Sequence, residues 1–335
     1  MNLPPDFIKT IQNVFGEEGR EWLTQLPDLI AHASERWGLT EMQPVPSLSY
    51  NFVAFAKREN VTLSEAKGLA PSSGTSQDVV LKIGVPNNEL KSEMAALRLF
   101  DGNGACQLLD CDEERGFFLL ERLKPGTMLA ELEDDDERTH IAADVMQRLW
   151  RNLESGSLLP NIQQQAVELH KFIRLSDWFD GLKNIRPHFG GGTGPFPKKL
   201  LEMVESFLPE LFADKNVKLI HGDFHHFNIL LSERSWLAID PKGVIGPVGY
   251  EIGPLMINPW NSLSDGSNFQ ACPERSRRIQ TKRRVSILAE RLGWEQENII
   301  NWATAHAVLS AWWDFQDGMN WEYSLNCAQI LSEFK

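Results

Sequence analysis

Over residues 221–228, His221-Gly222-Asp223-Phe224-His225-His226-Phe227-Asn228, and again at Asp240, the chain gathers groups that bind cations and move protons. Between them, residues 229–231 and 236–239 read as two brief apolar strands joined by the polar turn Ser232-Glu233-Arg234-Ser235. An antiparallel hairpin returns the chain to its start, so Asn228 and Asp240 are expected as neighbours at its open end, with Asp223 one loop earlier on the same side. Such a set suits phosphoryl transfer, which rests on holding magnesium against phosphate oxygens and orienting an attacking hydroxyl. Asn228 and Asp240 offer oxygen to Mg2+, a hard cation that keeps several waters and takes few protein ligands. Asp223 would accept the proton of the acceptor hydroxyl.

An Asp with an Asn five residues on, and a further Asp after a hairpin, matches the spacing of protein-kinase catalytic loops. The histidines also permit a zinc site, built from His221, His225 and a carboxylate, and with it a hydrolase. Gly222 and the flanking aliphatic residues favour a loop between strands over a histidine-bearing helix. His221 is therefore expected to bond backbone near the loop, and His225 and His226 to line the acceptor side.

The kinase spacing makes a demand upstream: a strand lysine for the nucleotide phosphates and an acidic partner on the next helix. Asp78-Val79-Val80-Leu81-Lys82-Ile83 is such a strand, with Val80 and Lys82 on one face. Residues 89–100 read as the helix, with Met94, Leu97 and Phe100 inward and Gly102 as its stop. Glu93 is the expected partner of Lys82, and Glu89 the fallback. Phe117-Phe118-Leu119-Leu120-Glu121-Arg122-Leu123 reads as a buried strand running into a connector, where backbone groups of Glu121 and Leu123 would bond adenine. No glycine-rich phosphate loop precedes Lys82; Ser49 and Asn51, in a turn at residues 48–54, are the candidates for that task.

These stretches, with Trp236-Leu237-Ala238-Ile239-Asp240-Pro241-Lys242-Gly243 and Gly249-Tyr250-Glu251, resemble the aminoglycoside/hydroxyurea phosphotransferases, the group that contains streptomycin 6-kinase. The resemblance runs over nearly the whole chain. It implies an α+β, protein-kinase-like two-lobed fold, with a small β-rich N-terminal lobe at residues 1–121 and a larger helical lobe at residues 122–335. It also implies ATP with Mg2+, a small hydroxylated acceptor, Asp223 as catalytic base, and Asn228 with Asp240 on the metal.

Two stretches depart from the family pattern. Residues 60–77 form a small, polar insertion longer than a hairpin needs. Residues 262–284 are polar and carry a basic cluster, Arg275, Arg277, Arg278, Lys282, Arg283 and Arg284. Without interleaved aromatic residues that cluster reads as a solvated approach to a helix, not as a nucleic-acid patch. The acidic run at residues 133–137 reads as surface at a helix start, within a helix over residues 134–153 with Ile141, Val145, Leu149 and Trp150 inward. A further helix is expected over residues 18–37, stopped by Gly38.

A chain of 335 residues with 42% hydrophobic content can bury a large core. Cys106, Cys111, Cys272 and Cys327 lack metal-type spacing and are expected as free thiols in the cytoplasm. No signal-like start or long apolar run suggests export or a membrane partner. A net charge of −13 disfavours nucleic acid and favours a cationic acceptor; the sequence sets no oligomeric state. For the acceptor side, Asp314, Asp177 and His225 are the candidates, with Asp180, Asp317, Glu322, Trp178, Trp312 and Trp313 nearby in sequence. The combined reading is an ATP-dependent small-molecule O-phosphotransferase with an aminoglycoside such as streptomycin as acceptor. A kinase of a metabolite alcohol and a catalytically idle nucleotide-binding module are the alternatives.

Overall fold

The structure, a computed structural model, describes residues 3–59, 76–150, 172–259 and 274–334. Most of the insertion at residues 60–77, the first part of the 262–284 stretch, Cys272 and the last residues of the expected 134–153 helix lie outside the described residues. The chain divides into two compact units, one of Met1–Gly102 with Cys106–Leu123, the other of Asn103–Ala105 with Lys124–Lys335.

The first unit is a five-stranded antiparallel sheet, in the order β1-β2-β3-β5-β4, with two helices. Its strands are β1 (Leu39–Pro44), β2 (Phe52–Arg58), β3 (Gln77–Ile83), β4 (Leu108–Asp112) and β5 (Phe117–Glu121). Helix α1 (Pro5–Trp37) begins well before residue 18, because Pro5 opens a first segment that buries Phe7 and Ile11 before the helix breaks at Gly16, φ 57° and ψ −125°. Beyond the break, Trp22, Leu26, Ile30, Ala33 and Trp37 form one buried stripe, and Gly38 ends the helix in the left-handed region with its N–H on Ser34 O. The stripe packs on Phe52, Ala54, Leu81, Ile83, Phe117 and Leu119. Helix α2 (Asn88–Phe100) starts where the Asn87 side chain accepts the Leu90 N–H. Its left-handed cap is Asp101, φ 46°, one residue before the expected Gly102; an aspartate tolerates that region.

In the second unit, β6 (Pro125–Met128) edges a sheet of order β10-β9-β6, where β9 (Ile229–Ser232) and β10 (Trp236–Ala238) are the hairpin anticipated after Asn228. A second sheet, β7-β11-β8, joins Ile173–Arg174, Val244–Pro247 and Val217–Ile220. The helices are α3 (Asp135–Leu149), α4 (Leu175–Asp180), α5 (Lys198–Phe212), α6 (Ile252–Ile257), α7 (Glu274–Leu292), α8 (Gln296–Gln316) and α9 (Trp321–Ser332). In α3, capped by Asp134 and ended at Trp150, the buried positions are Ala142, Val145, Met146 and Leu149, while Ile141 and Trp150 are only half-buried. Among the described residues, no helix is long and apolar enough to cross a membrane.

Tyr250, Phe179, Phe212 and the fully buried Trp302 pack edge to face beneath the β8–β11 ladder. Gly249 lies against this cluster so closely that a Cβ would enter the Trp302 indole. Gly249→Ala is therefore expected to cost about 1–3 kcal/mol of stability, measured as a lower denaturation midpoint with unchanged slope.

Candidate active site

In the first unit, Lys82 on β3 pairs across the sheet with Phe118 and Val53, and α2 follows within a few residues. The Lys82 Nζ donates to both oxygens of Glu93, at 2.6 and 2.7 Å, and stands over the Phe118 ring. Both partners are buried, at 3% and 7% exposure. A pair so enclosed holds only while both charges are present, since one alone would face the full desolvation cost. Val80 is half-buried on the same strand.

Ser49 is exposed in the loop between β1 and β2, and the Asn51 amide oxygen lies over Gly84, where a Cβ would collide with it. Glu121 ends β5. Its N–H donates to Gln107 O at 3.0 Å and its carboxylate takes the Gln107 N–H, so that amide is spent inside the sheet. Leu123 is buried at the end of the unit.

The second unit holds the loop and hairpin. Gly222 has φ 86°, and a Cβ there would strike Val244, so the turn out of β8 accepts only glycine without strain. The buried His221 is tied on every side: Nε2 bonds Ile239 O at 2.8 Å, Nδ1 receives the Asp223 N–H, and its carbonyl receives the Lys242 N–H. Both ring nitrogens thus serve backbone, as anticipated for this histidine, which removes His221 from a zinc set. Among the described residues, no three His, Cys, Asp or Glu side chains converge on a metal position.

Asn228 follows a single 3-10 turn, with its N–H on His225 O and its Nδ2 on Asp223 O at 3.0 Å. The Ile239 N–H returns to Asn228 O at 2.9 Å, which closes the hairpin beside Asp240. With Nδ2 spent on Asp223, the Asn228 amide oxygen is left to point the other way. An amide oxygen and a carboxylate on neighbouring stretches of backbone are of the kind that Mg2+ prefers. Asp240 is exposed and sits in the left-handed region at φ 57°, which an aspartate tolerates.

The Asp223 carboxylate is 40% exposed, with His225 Nε2 at 3.5 Å. Burial pushes its carboxyl up, but neighbouring charge, His225 and Lys242 foremost, outweighs it and holds the group below the ordinary carboxylate value. A proton acceptor needs that ionised state. His225, proposed from sequence for the acceptor, lies between Asp223 and Asn228, 3.4 Å from the Asn228 Nδ2. His226 does not line the acceptor side. It is fully buried with neither ring nitrogen hydrogen-bonded, because the 3-10 turn rotates it into the interior.

Sequence reasoning gave Glu251 no role. Fully buried, it accepts the His221 N–H at 3.1 Å and the Gly222 N–H at 2.8 Å, each on its own oxygen. Burial raises its carboxyl to about 8, against the pull of those two amides. Of the acceptor candidates, Asp314 is half-buried and receives the Ser324 hydroxyl at 3.1 Å, a bond between α8 and α9. Asp177 is exposed on α4 beside Trp178, whose ring reaches Gly222 and meets Trp313 edge-on at 5.4 Å. Trp312 is buried in the core and is withdrawn as an acceptor candidate.

Residues 65–318 match the family described as aminoglycoside/hydroxyurea antibiotic resistance kinase. The chain belongs to this family. It is 28% identical to streptomycin 6-kinase of Streptomyces griseus, over 95% of this chain and 92% of that one. It is 27% identical to hydroxyurea phosphotransferase of Kitasatospora aureofaciens, over 95% of this chain and 82% of the other. Choline kinase LicA from Streptococcus pneumoniae shares the fold, with a TM-score of 0.55 at 13% identity, covering 92% and 98% of the two chains. So does aminoglycoside phosphotransferase APH(4)-Ia in its complex with ADP and hygromycin B, at 0.51 and 12% identity, covering 90% and 97%. The fold is the kinase-like α+β one that the sequence led us to expect.

Burial lowers His221 to about 4, His306 to about 3, and His226 well below the free histidine value of 6.5. Between 6.5 and about 4 these histidines bind more protons in the unfolded chain than in the folded one, so their contribution to stability is complete above 6.5 and is lost as the pH falls; Glu251, raised to about 8, works in the opposite sense and offsets about one of those protons. Calorimetric Tm is expected to drop between about pH 7 and pH 5, and His226→Phe to flatten that slope by about one proton.

Proposed function

We propose that this protein transfers the terminal phosphoryl group of ATP to a hydroxyl of a small molecule, with an aminocyclitol antibiotic such as streptomycin as the leading acceptor. The observation that carries the reading is the hairpin closed by Ile239 N–H on Asn228 O, with Asn228 in turn bonded to Asp223. It supports a reading in which Asp223 is the base and Asn228 and Asp240 supply oxygen from one end of one ribbon. Family membership and the names of the relatives support the same chemistry, and the ADP complex of a fold relative supports the nucleotide.

In this reading Asp223 takes the proton of the acceptor hydroxyl as that oxygen attacks the γ-phosphorus. The bond from the γ-phosphorus to the bridging oxygen breaks, and ADP leaves with that electron pair. Asn228 and Asp240 would hold Mg2+, which when bound neutralises charge on the phosphate oxygens. Lys82, oriented by Glu93, would hold the phosphates, with Ser49 and Asn51 contributing from their loop. Leu123 and the Glu121 carbonyl would meet adenine. Residues 1–121 would thus carry the nucleotide-binding sheet, and residues 122–335 the catalytic loop and the acceptor site. A net charge of −13 and the carboxylates Asp177 and Asp314 favour a cationic acceptor. His225, beside the base, would meet its hydroxyl face.

Asp223→Ala is expected to lower transfer by about a hundred- to ten-thousand-fold while leaving ATP affinity in place. Transfer that survived would remove Asp223 as the base. A panel of acceptors including streptomycin, hydroxyurea and metabolite alcohols, read by ATP consumption, tests the acceptor class; turnover of none of them would favour an idle nucleotide-binding module. Lys82→Met takes the ammonium away from the buried Glu93 carboxylate, so it is expected to cost about 3–5 kcal/mol of stability and to weaken ATP binding. Adding Glu93→Gln should return most of the stability and none of the binding, as seen by chemical denaturation and nucleotide titration.

A further inference from the structure

The basic cluster before α8 and the acidic run at the start of α3 find each other. Arg283 pairs with Asp136, Arg291 with Asp144, and Arg284 with Asp135. Of these three arginines only Arg284 is buried, at 4% exposure. Its guanidinium grips both Asp135 oxygens, Nε at 2.9 Å and Nη2 at 2.6 Å, in the two-pronged geometry specific to arginine. Asp135 also receives Arg138 at 2.8 Å, so one carboxylate serves two enclosed cations. The remaining prong, Nη1, donates to Leu255 O at 3.1 Å and to Asn258 O.

Those carbonyls belong to the end of α6, a wholly buried helix of six residues, about 9 Å long. Two more carbonyls of its last turn are taken as well, Pro254 O by Asn258 Nδ2 and Ile257 O by the Tyr323 hydroxyl. Glu251 immediately precedes α6, so the carboxyl that holds the His221 and Gly222 amides is seated at one end of a short rigid rod whose other end Arg284 grips. Helix α3, which supplies Asp135, also reaches the hairpin. Its Arg148 donates to Ser235 Oγ at 2.9 Å and Trp236 O at 2.8 Å.

We propose that Arg284 is a positioning residue, which anchors α6 to α3 and through Glu251 sets where the Asp223 loop stands relative to the hairpin. The role rests on Asp223 being the base. It differs from simple stabilisation because the links run from Arg284 to the catalytic loop through bonded groups, Leu255 O, α6, Glu251 and the His221 and Gly222 amides.

The test compares Arg284→Gln, Arg284→Lys, Asp135→Asn and the double variant Arg284→Gln/Asp135→Asn in the full chain, under conditions where each is folded by circular dichroism. In Arg284→Gln, kcat for phosphate transfer should fall about tenfold at unchanged KM for ATP. Amide hydrogen exchange in the peptide spanning residues 217–224 should quicken. Arg284→Lys should recover part of both, and the double variant should be no worse than the worse single one, as expected for partners in one linkage. Should Arg284→Gln fail to fold, the lysine and asparagine variants carry the same comparison. A lowered Tm with parental kcat and parental exchange in residues 217–224 would overturn the proposal and leave Arg284 a stabilising residue. If the parent itself phosphorylates nothing, the assignment of the base fails, whereas the exchange measurement still decides whether Arg284 reaches the loop.

Discussion

The catalytic loop is held by a single buried carboxyl group. Glu251 takes two consecutive backbone N–H groups, of His221 and Gly222, at the point where the chain leaves β8 and must turn sharply. Charge-assisted or not, amides enclosed there need an acceptor, since an unmet buried donor costs about 1–3 kcal/mol. With that turn fixed, His221 spans to Ile239 O, Asn228 reaches back to Asp223 O, and the loop and hairpin become one hydrogen-bonded body. Asp223 therefore stands on a set of interlocked backbone bonds and not on its own side-chain contacts, which leaves its carboxylate accessible.

The first unit solves a comparable problem with charge. Lys82 reaches Glu93 only because β3 and α2 are separated by a short connection that Asn87 caps. Burial of both groups makes the pair an orienting device whose contribution to stability is small or even negative. The Phe118 ring beneath the ammonium adds a favourable face and restricts its directions.

What could be read from the sequence was local. Alternating apolar residues and a polar turn announced the β9–β10 hairpin, and the period of strand and helix placed Lys82 and Glu93 within reach of each other. What escaped was separated along the chain. Glu251 lies 30 residues from His221, and Arg284 lies 149 from Asp135, and neither carries a periodic signal. The charged runs looked solvated because each, taken alone, resembles surface; only the packing of α3 on α7 shows that part of each is interior. His226 was misplaced because a histidine in a polar loop gives no sign of which way a single 3-10 turn will rotate it. The early start of α1 was hidden by the break at Gly16, which cuts its apolar stripe in two.

The left-handed backbone at Asp240 bears on how such a protein decays over generations. Aspartate and asparagine both tolerate that conformation, and one base change interconverts their codons. A single mutation at this codon can therefore remove the negative charge while leaving the left-handed turn intact, so charge and backbone shape at this position can part company in evolution.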